Sequence, residues 1–393
     1  MNALSNVSAP AQSLDTRALS LGSASYGGVG NAVATLRQAL AARGIDLEWA
    51  AADDEAGARA LLRRIEGERP VFVLAHVLTG QAETNLLRYL PREVPRILMV
   101  HAPSLATYRA ARAVRDWVDA AVVVSPRIRR DLIRFYGFRE EAVEVIANPV
   151  ALNTQPRTDE TGGGLRVLSL GRIDRIAKGL DWLPDIVRRA VDAGVDVSLT
   201  IGGVGPDLAR LRERIAACGL AGRTTFLGSV EHERVPGLMC AHDVFLFPSV
   251  FEGLGLALIE AMAGGCVPVA SRIRGVTDWV VAEGETGLLF PVGDTRAAAW
   301  RLVELDRNRR RLRAMSEAAR RAARARFKIE DQAAAFVSLI QRVIEAPRRV
   351  NEPLLIERWR VPAGLRPAWW HALPEPLKAL LRVTRERMQF RQV

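Results

Sequence analysis

Lysine is nearly missing from this chain: arginine carries the positive charge, and lysine stands only at Lys178, Lys328 and Lys378. Where one cation is so generally preferred, a retained lysine points to a place that needs a compact ammonium rather than a planar guanidinium. Long apolar runs are also absent, and without about 18 uninterrupted apolar residues no spanning helix is expected. The first residues, MNALSNVSAPAQSLDTRA, lack a basic stretch followed by an apolar core, so they do not read as a secretory signal. Cys218, Cys240 and Cys266 are scattered and odd in number, which argues against a disulfide framework and for reduced, buried thiols in a cytoplasm. The histidines lack ligand spacing and no Asp-x-Asp cluster follows a strand, so no metal site is expected.

What is present reads as a globular α/β protein. The 393 residues, 49% hydrophobic and 25% charged, suit two domains and an appendage. A net charge of +11 would fit nucleic acid, an anionic membrane surface or an acidic substrate. No zinc-ligand spacing and no aromatic RNA-binding pattern accompanies it, so no nucleic-acid partner is expected; a membrane surface or a nucleotide-charged substrate is preferred.

Residues 1–16 read as a loose polar tail. Arg17 to Ser25 is a first expected strand, followed by a glycine-rich turn through Tyr26, Gly27, Gly28, Val29, Gly30 and Asn31 into a helix from Ala32 to Arg43. Short apolar runs ending near Ala50, Ala75, Val100, Val124 and Ile146 alternate with helical patterns, which implies a parallel sheet covered on both faces over 17–150. The polar stretch 151–164, ending in three glycines, reads as a linker, and a second strand-helix series runs through 165–327. Arg301 to Arg326 is expected as one charged helix with a solvated face. Residues 328–346 form another helix, and 347–393 a basic extension in which Trp359, Trp369 and Trp370 stand among arginines. Its last part is a basic amphipathic helix candidate, which would either meet anionic lipid or pack against the first domain.

The stretch from Phe247 to Ser271, FPSVFEGLGLALIEAMAGGCVPVAS, organises the rest. A strand ends at Pro248, a loop carries Glu252, Gly253 and Gly255, a helix runs from Leu256 to Gly264, and a second strand follows. The helix start therefore opens at the carboxyl edge of a parallel sheet, where ligands bind. Small residues let the backbone approach a ligand, and free N–H groups of the first helical turn favour a phosphate. Glu252 and Glu260, eight apart, fall on one side of the helix and suit hydroxyl groups rather than phosphate.

In this spacing of Glu252, seven residues and Glu260, the stretch resembles the signature of retaining GT-B glycosyltransferases of family 4. The resemblance covers roughly residues 17–346 and implies two doubly wound Rossmann-like domains facing a cleft, with C-terminal helices crossing back to the first. It extends to Gly171 and Arg172 with Lys178 and Gly179, similar to the GR…KG motif whose cations hold the donor diphosphate. It also covers Ile201 to Pro206, where Gly202 opens an IxGxGP turn, and Gly228 to Val230, beside the base. Departures are Leu254 for phenylalanine, Ala257 for proline, and a missing glycine after Asn148.

The resemblance implies a metal-independent retaining hexosyl transfer from a nucleotide-diphosphate sugar, with no further cofactor, to an acceptor glycan or glycolipid. Glu252 would hold the sugar hydroxyls and Glu260 the ribose. Gly28, Gly253, Leu254, Gly255 and Leu256 would approach the donor through backbone, and Val230 would lie near its base. His101, at the end of strand ILMVH, would face the sugar, while His76, also after a strand, reads as a decoy. The expected location is cytoplasmic, with peripheral membrane contact through the extension. The rivals are a GT-B epimerase or phosphorylase, and a non-catalytic, membrane-associated assembly partner.

Overall fold

The structure, a computed structural model, describes residues 16–22, 27–77, 81–152, 157, 163–366 and 373–390. Nearly all of the expected tail, most of the expected linker, Trp369 and Trp370 lie outside them.

Two six-stranded sheets, parallel throughout, carry the chain. The first contains β1 (Thr16–Leu21), β2 (Ile45–Ala50), β3 (Val73–His76), β4 (Arg96–Val100), β5 (Ala120–Val123) and β6 (Val143–Val145), ordered β2-β1-β3-β4-β5-β6. The second contains β7 (Leu165–Leu170), β8 (Val197–Gly202), β9 (Thr224–Gly228), β10 (Val244–Phe247), β11 (Val267–Ser271) and β12 (Leu288–Phe290), ordered β12-β11-β10-β7-β8-β9. β3, β4, β5, β10 and β11 are buried at every position, as strands covered on both faces must be. These are the two doubly wound Rossmann-like units that the sequence predicts.

Each sheet reverses its order at one point, between β1 and β3 in the first and between β10 and β7 in the second. Loops leaving the carboxyl ends of these strand pairs diverge and leave a crevice, the natural ligand position in such sheets. The loop after β7 carries Gly171 and Arg172, and the loop after β10 carries Glu252 to Gly255.

Two local expectations need correction. The first strand ends at Leu21 rather than Ser25, and the next helix, Gly27–Ala41, begins five residues before Ala32. Gly28 thus lies in its first turn; glycine enters the right-handed helical region as freely as a turn. The charged stretch is two helices, Thr295–Arg307 and Arg309–Arg326, divided at Asn308, whose side chain accepts from the Arg311 N–H and caps the second.

Helix Ile329–Glu345 buries Phe336, Leu339, Ile340 and Val343 and packs against Gly27–Ala41 of the first unit. Beyond it the chain stays on that unit: Trp359 stacks on Tyr89 at 4.7 Å, and the Arg360 carbonyl accepts from Asn85 and Arg88. The final helix, Glu375–Phe390, bridges both units. Glu386 accepts from Arg127 at 2.7 Å, Arg387 donates to the Val292 carbonyl, and the Arg382 guanidinium lies 5.1 Å from the Phe251 ring centroid.

Candidate active site

A cavity of about 790 Å³ lies between the two units at the carboxyl ends of both sheets. Its lining includes His101, Arg172, Lys178, Val230, Glu252, Gly253, Leu254, Gly255, Leu256 and Glu260. Of the residues singled out from the sequence, Gly202 lines a smaller neighbouring pocket with Gly171, Arg172 and Lys178, and Gly28 is in the first turn of the helix whose Asn31, Ala32 and Thr35 line the cleft. A second cavity of about 570 Å³ lies at the amino ends of β7 and β8, away from all of these. Arg157 and Arg166 there are committed to Asp243, and Arg223 to Asp196.

Lys178 ends the short helix Arg175–Lys178, whose start is capped by Asp174 accepting from the Ile176 and Ala177 N–H groups. Gly179 follows with φ 60°, and a Cβ there would stand 2.2 Å from the Pro248 carbonyl oxygen, so only glycine lets this turn meet the loop after β10. The two loops are joined by Val250 N donating to the Ala177 carbonyl at 2.9 Å. Lys178 Nζ consequently donates to Glu252 Oε1 at 2.7 Å.

The three charges differ in environment. The Glu252 side chain is 10% exposed and that of Lys178 30%, whereas Arg172 is 70% exposed and only distantly paired, with Asp174 at 3.9 Å. Arg172 is therefore available to an incoming anion, and Lys178 is held in place by its carboxylate partner. Glu260, in the second turn of helix Leu256–Gly264, is half-buried; desolvation raises its carboxyl above the usual range, with His232 opposing. No cluster of three or more His, Cys, Asp or Glu side chains able to hold a metal occurs among the described residues.

Across the cleft the glycine loop touches the first unit directly. A Cβ on Gly253 would stand 1.8 Å from the His101 carbonyl oxygen, so the absent side chain permits the approach. Lower down, Arg127 N donates to the Gly275 carbonyl at 3.1 Å.

Residues 164–308 match the family described as glycosyl transferases group 1, and residues 55–154 match glycosyltransferase family 4. The chain belongs to glycosyltransferase family 4. Among its relatives, the phosphatidyl-myo-inositol mannosyltransferase of Mycobacterium leprae is 35% identical over 50% of this chain and 52% of its own. The lipopolysaccharide core biosynthesis mannosyltransferase LpsB of Rhizobium meliloti is 34% identical over 44% of this chain and 50% of its own. The chain thus spans about half the length of these curated relatives. In fold it is similar to Anabaena HepE, solved with UDP and glucose, with TM-score 0.68 and 17% identity over 83% of this chain and 99% of that one. That likeness shows the GT-B fold.

Several cleft residues of this family 4 chain escaped the sequence reading. Asn31 and Thr35 line the cavity one helical turn apart, and His232 faces it near Glu260. Asn148, noted only for its missing glycine neighbour, lines it too and has a buried Oδ1 with no hydrogen-bond partner. His76, set aside as a decoy, is bonded to His101. Asn31 falls in the stretch that reads as a turn, Thr35 belongs to no motif, and the two histidines are 25 residues apart, so no local signal joined them.

Proposed function

We propose that this chain is a retaining, metal-independent glycosyltransferase that moves a hexosyl unit from a nucleotide-diphosphate sugar to an acceptor hydroxyl. The carrying observation is the Lys178–Glu252 pair set beside the exposed Arg172 and the start of helix Leu256–Gly264. Together they offer fixed positive charge for a diphosphate and a carboxylate for hydroxyls. Arg172 and Lys178 hold the diphosphate, with the backbone N–H groups of Gly253 to Leu256 beside it. Glu252 accepts from the sugar hydroxyls, and Glu260 from the ribose. The base lies near Val230.

As the donor bond breaks, its electron pair passes to the phosphate oxygen. The acceptor oxygen bonds the anomeric carbon on the same face, and the leaving phosphate takes the acceptor proton. Charge growing on the diphosphate is met by Lys178, already oriented by Glu252, and by the exposed Arg172. Glu252 is engaged by Lys178, so it acts as a hydrogen-bond acceptor and not as a covalent nucleophile.

The acceptor side is formed by the first unit, around Asn31 and Thr35. A glycolipid or surface-polysaccharide intermediate fits the two mannosyltransferase relatives named above. It also fits helix Glu375–Phe390, which exposes Leu377, Leu380 and Leu381 on one side. Those leucines and neighbouring cations suit the surface of an anionic membrane. No helix among the described residues is long and apolar enough to cross one.

The test is thermal stabilisation by UDP-, GDP- and ADP-sugars, with and without chelator, followed by transfer to a lipid extract and determination of the product anomer. A chelator-insensitive shift with one nucleotide class and a product of unchanged anomeric configuration is expected. No shift with any of them would favour the non-catalytic partner, and an inverted product would remove the retaining mechanism.

A further inference from the structure

The register of the first sheet places three polar side chains on one face. Ser20 of β1 pairs with Leu74 of β3, and His76, two residues on from Leu74, pairs with Met99 of β4, two residues before His101. Alternation along each strand puts Ser20, His76 and His101 on the same side, at the carboxyl end where the cleft opens. They form a chain: Ser20 Oγ lies 3.0 Å from His76 Nε2, and His76 Nδ1 lies 2.9 Å from His101 Nε2. The His76 ring is held between Trp49, 5.7 Å away centroid to centroid, and His101, 5.2 Å away. His101 Nδ1 is buried and has no partner, and His101 lines the cleft.

Two proton arrangements satisfy these distances. In one, Ser20 donates to His76, His76 donates to His101, and His101 carries its proton on Nδ1. In the other, His101 donates to His76 and His76 to Ser20; the Ser20 hydroxyl proton is then left without an acceptor in a fully buried position, and His101 Nδ1 is left as a bare acceptor. The first strands a single buried N–H donor, and the second strands a buried hydroxyl as well as a buried ring nitrogen. An unmet buried polar group is costly, so the first arrangement wins.

We propose that His76 and Ser20 are positioning residues which fix His101 in the Nδ1–H form, so that the ring presents a hydrogen-bond donor to an oxygen of the sugar substrate. The proposal rests on the glycosyl-transfer reading of this cleft. Burial holds the chain electrically neutral: it lowers His76 to about 4 and His101 well below its ordinary value, His76 adding to the effect on His101. A neutral donor of fixed direction serves a hydroxyl or ring oxygen without adding charge beside the reacting centre.

The experiment is long-range ¹H–¹⁵N NMR of the imidazole nitrogens in the full chain, for wild type, Ser20→Ala, His76→Phe and His76→Gln. Turnover of UDP-glucose, GDP-mannose and ADP-glucose is measured on the same samples. His101 is expected as the Nδ1–H tautomer in wild type. It becomes a mixture in Ser20→Ala and His76→Phe, with kcat about tenfold lower, and His76→Gln restores most of both because its amide again supplies a donor. A wild-type His101 protonated on Nε2, or a tautomer unmoved by both Ser20→Ala and His76→Phe, overturns the proposal. Ser20→Ala removes only a hydroxyl, so the outcome does not hang on whether His76→Phe folds. Wild-type inactivity on all three donors counts against the transfer reading, while the tautomer result still decides the relay.

Discussion

Replacing Lys178 by alanine should separate chemistry from stability. The ammonium lies 2.7 Å from Glu252, whose side chain is 10% exposed, so the substitution leaves a nearly buried carboxylate without its partner. Breaking one side of a fully buried pair costs roughly 3–5 kcal/mol, whereas exposed pairs are worth about 1 kcal/mol or less. Lys178 is 30% exposed, which moves the expectation toward the lower end, about 1–2 kcal/mol. A domain stable by roughly 5–15 kcal/mol stays folded after such a loss. In the role proposed for Lys178, a preoriented cation at a developing phosphate charge, its loss should lower turnover much further, by about a hundred- to a thousandfold.

Urea unfolding would read the first quantity and donor turnover under saturating substrate the second. The double variant Lys178→Ala/Glu252→Gln supplies a check: removing the orphaned charge should return most of the stability and none of the activity. A folded Lys178→Ala protein that turns over donor like the wild type would refute the role given to the lysine. Equal recovery of stability and activity in the double variant would show that Lys178 only compensates Glu252.

Gly253→Ala should impair turnover and destabilise by roughly 1–3 kcal/mol, since the new methyl meets the His101 carbonyl at 1.8 Å and the loop must withdraw from the first unit; kinetics and melting check both. Glu260→Gln tests burial. A carboxyl whose folded value is raised contributes most below its unfolded value of about 4.5 and loses that contribution as pH rises through the folded one. The amide should therefore raise the melting temperature at pH 8 and leave it unchanged near pH 4, while nucleotide-sugar affinity falls. His76 has the opposite sign. Its folded value is lowered from 6.5 to about 4, so stability is expected to decline as pH falls between those values, by roughly 3 kcal/mol in all. Unfolding of His76→Phe across that window should show a shallower decline.

The sequence by itself determined the two doubly wound units and the charged residues of the cleft's second-unit side, because both rest on local patterns. Short, largely apolar strands alternating with amphipathic helices admit few arrangements other than covered parallel sheets. Gly171, Arg172, Lys178, Glu252 and Glu260 lie on the segments that follow β7 and β10, and the carboxyl edge of a parallel sheet gathers such segments into one place. Even there the local signal has limits: glycine does not choose between turn and helix, which is why the helix beginning at Gly27 reads as a turn, and Asn308 divides a stretch of uniformly helix-forming residues.

Only the tertiary structure decided which of these groups touch. The Lys178–Glu252 bond spans 74 residues and depends on Gly179 fitting beneath Pro248. The bond between His76 and His101 follows from the register of β3 against β4, and Ser20 joins it from β1. The bridging position of helix Glu375–Phe390 rests on Arg127 meeting a carboxylate 259 residues away. Each of these contacts joins residues far apart in the chain, and periodicity carries no information about such pairs. Close packing of the assembled units selects them.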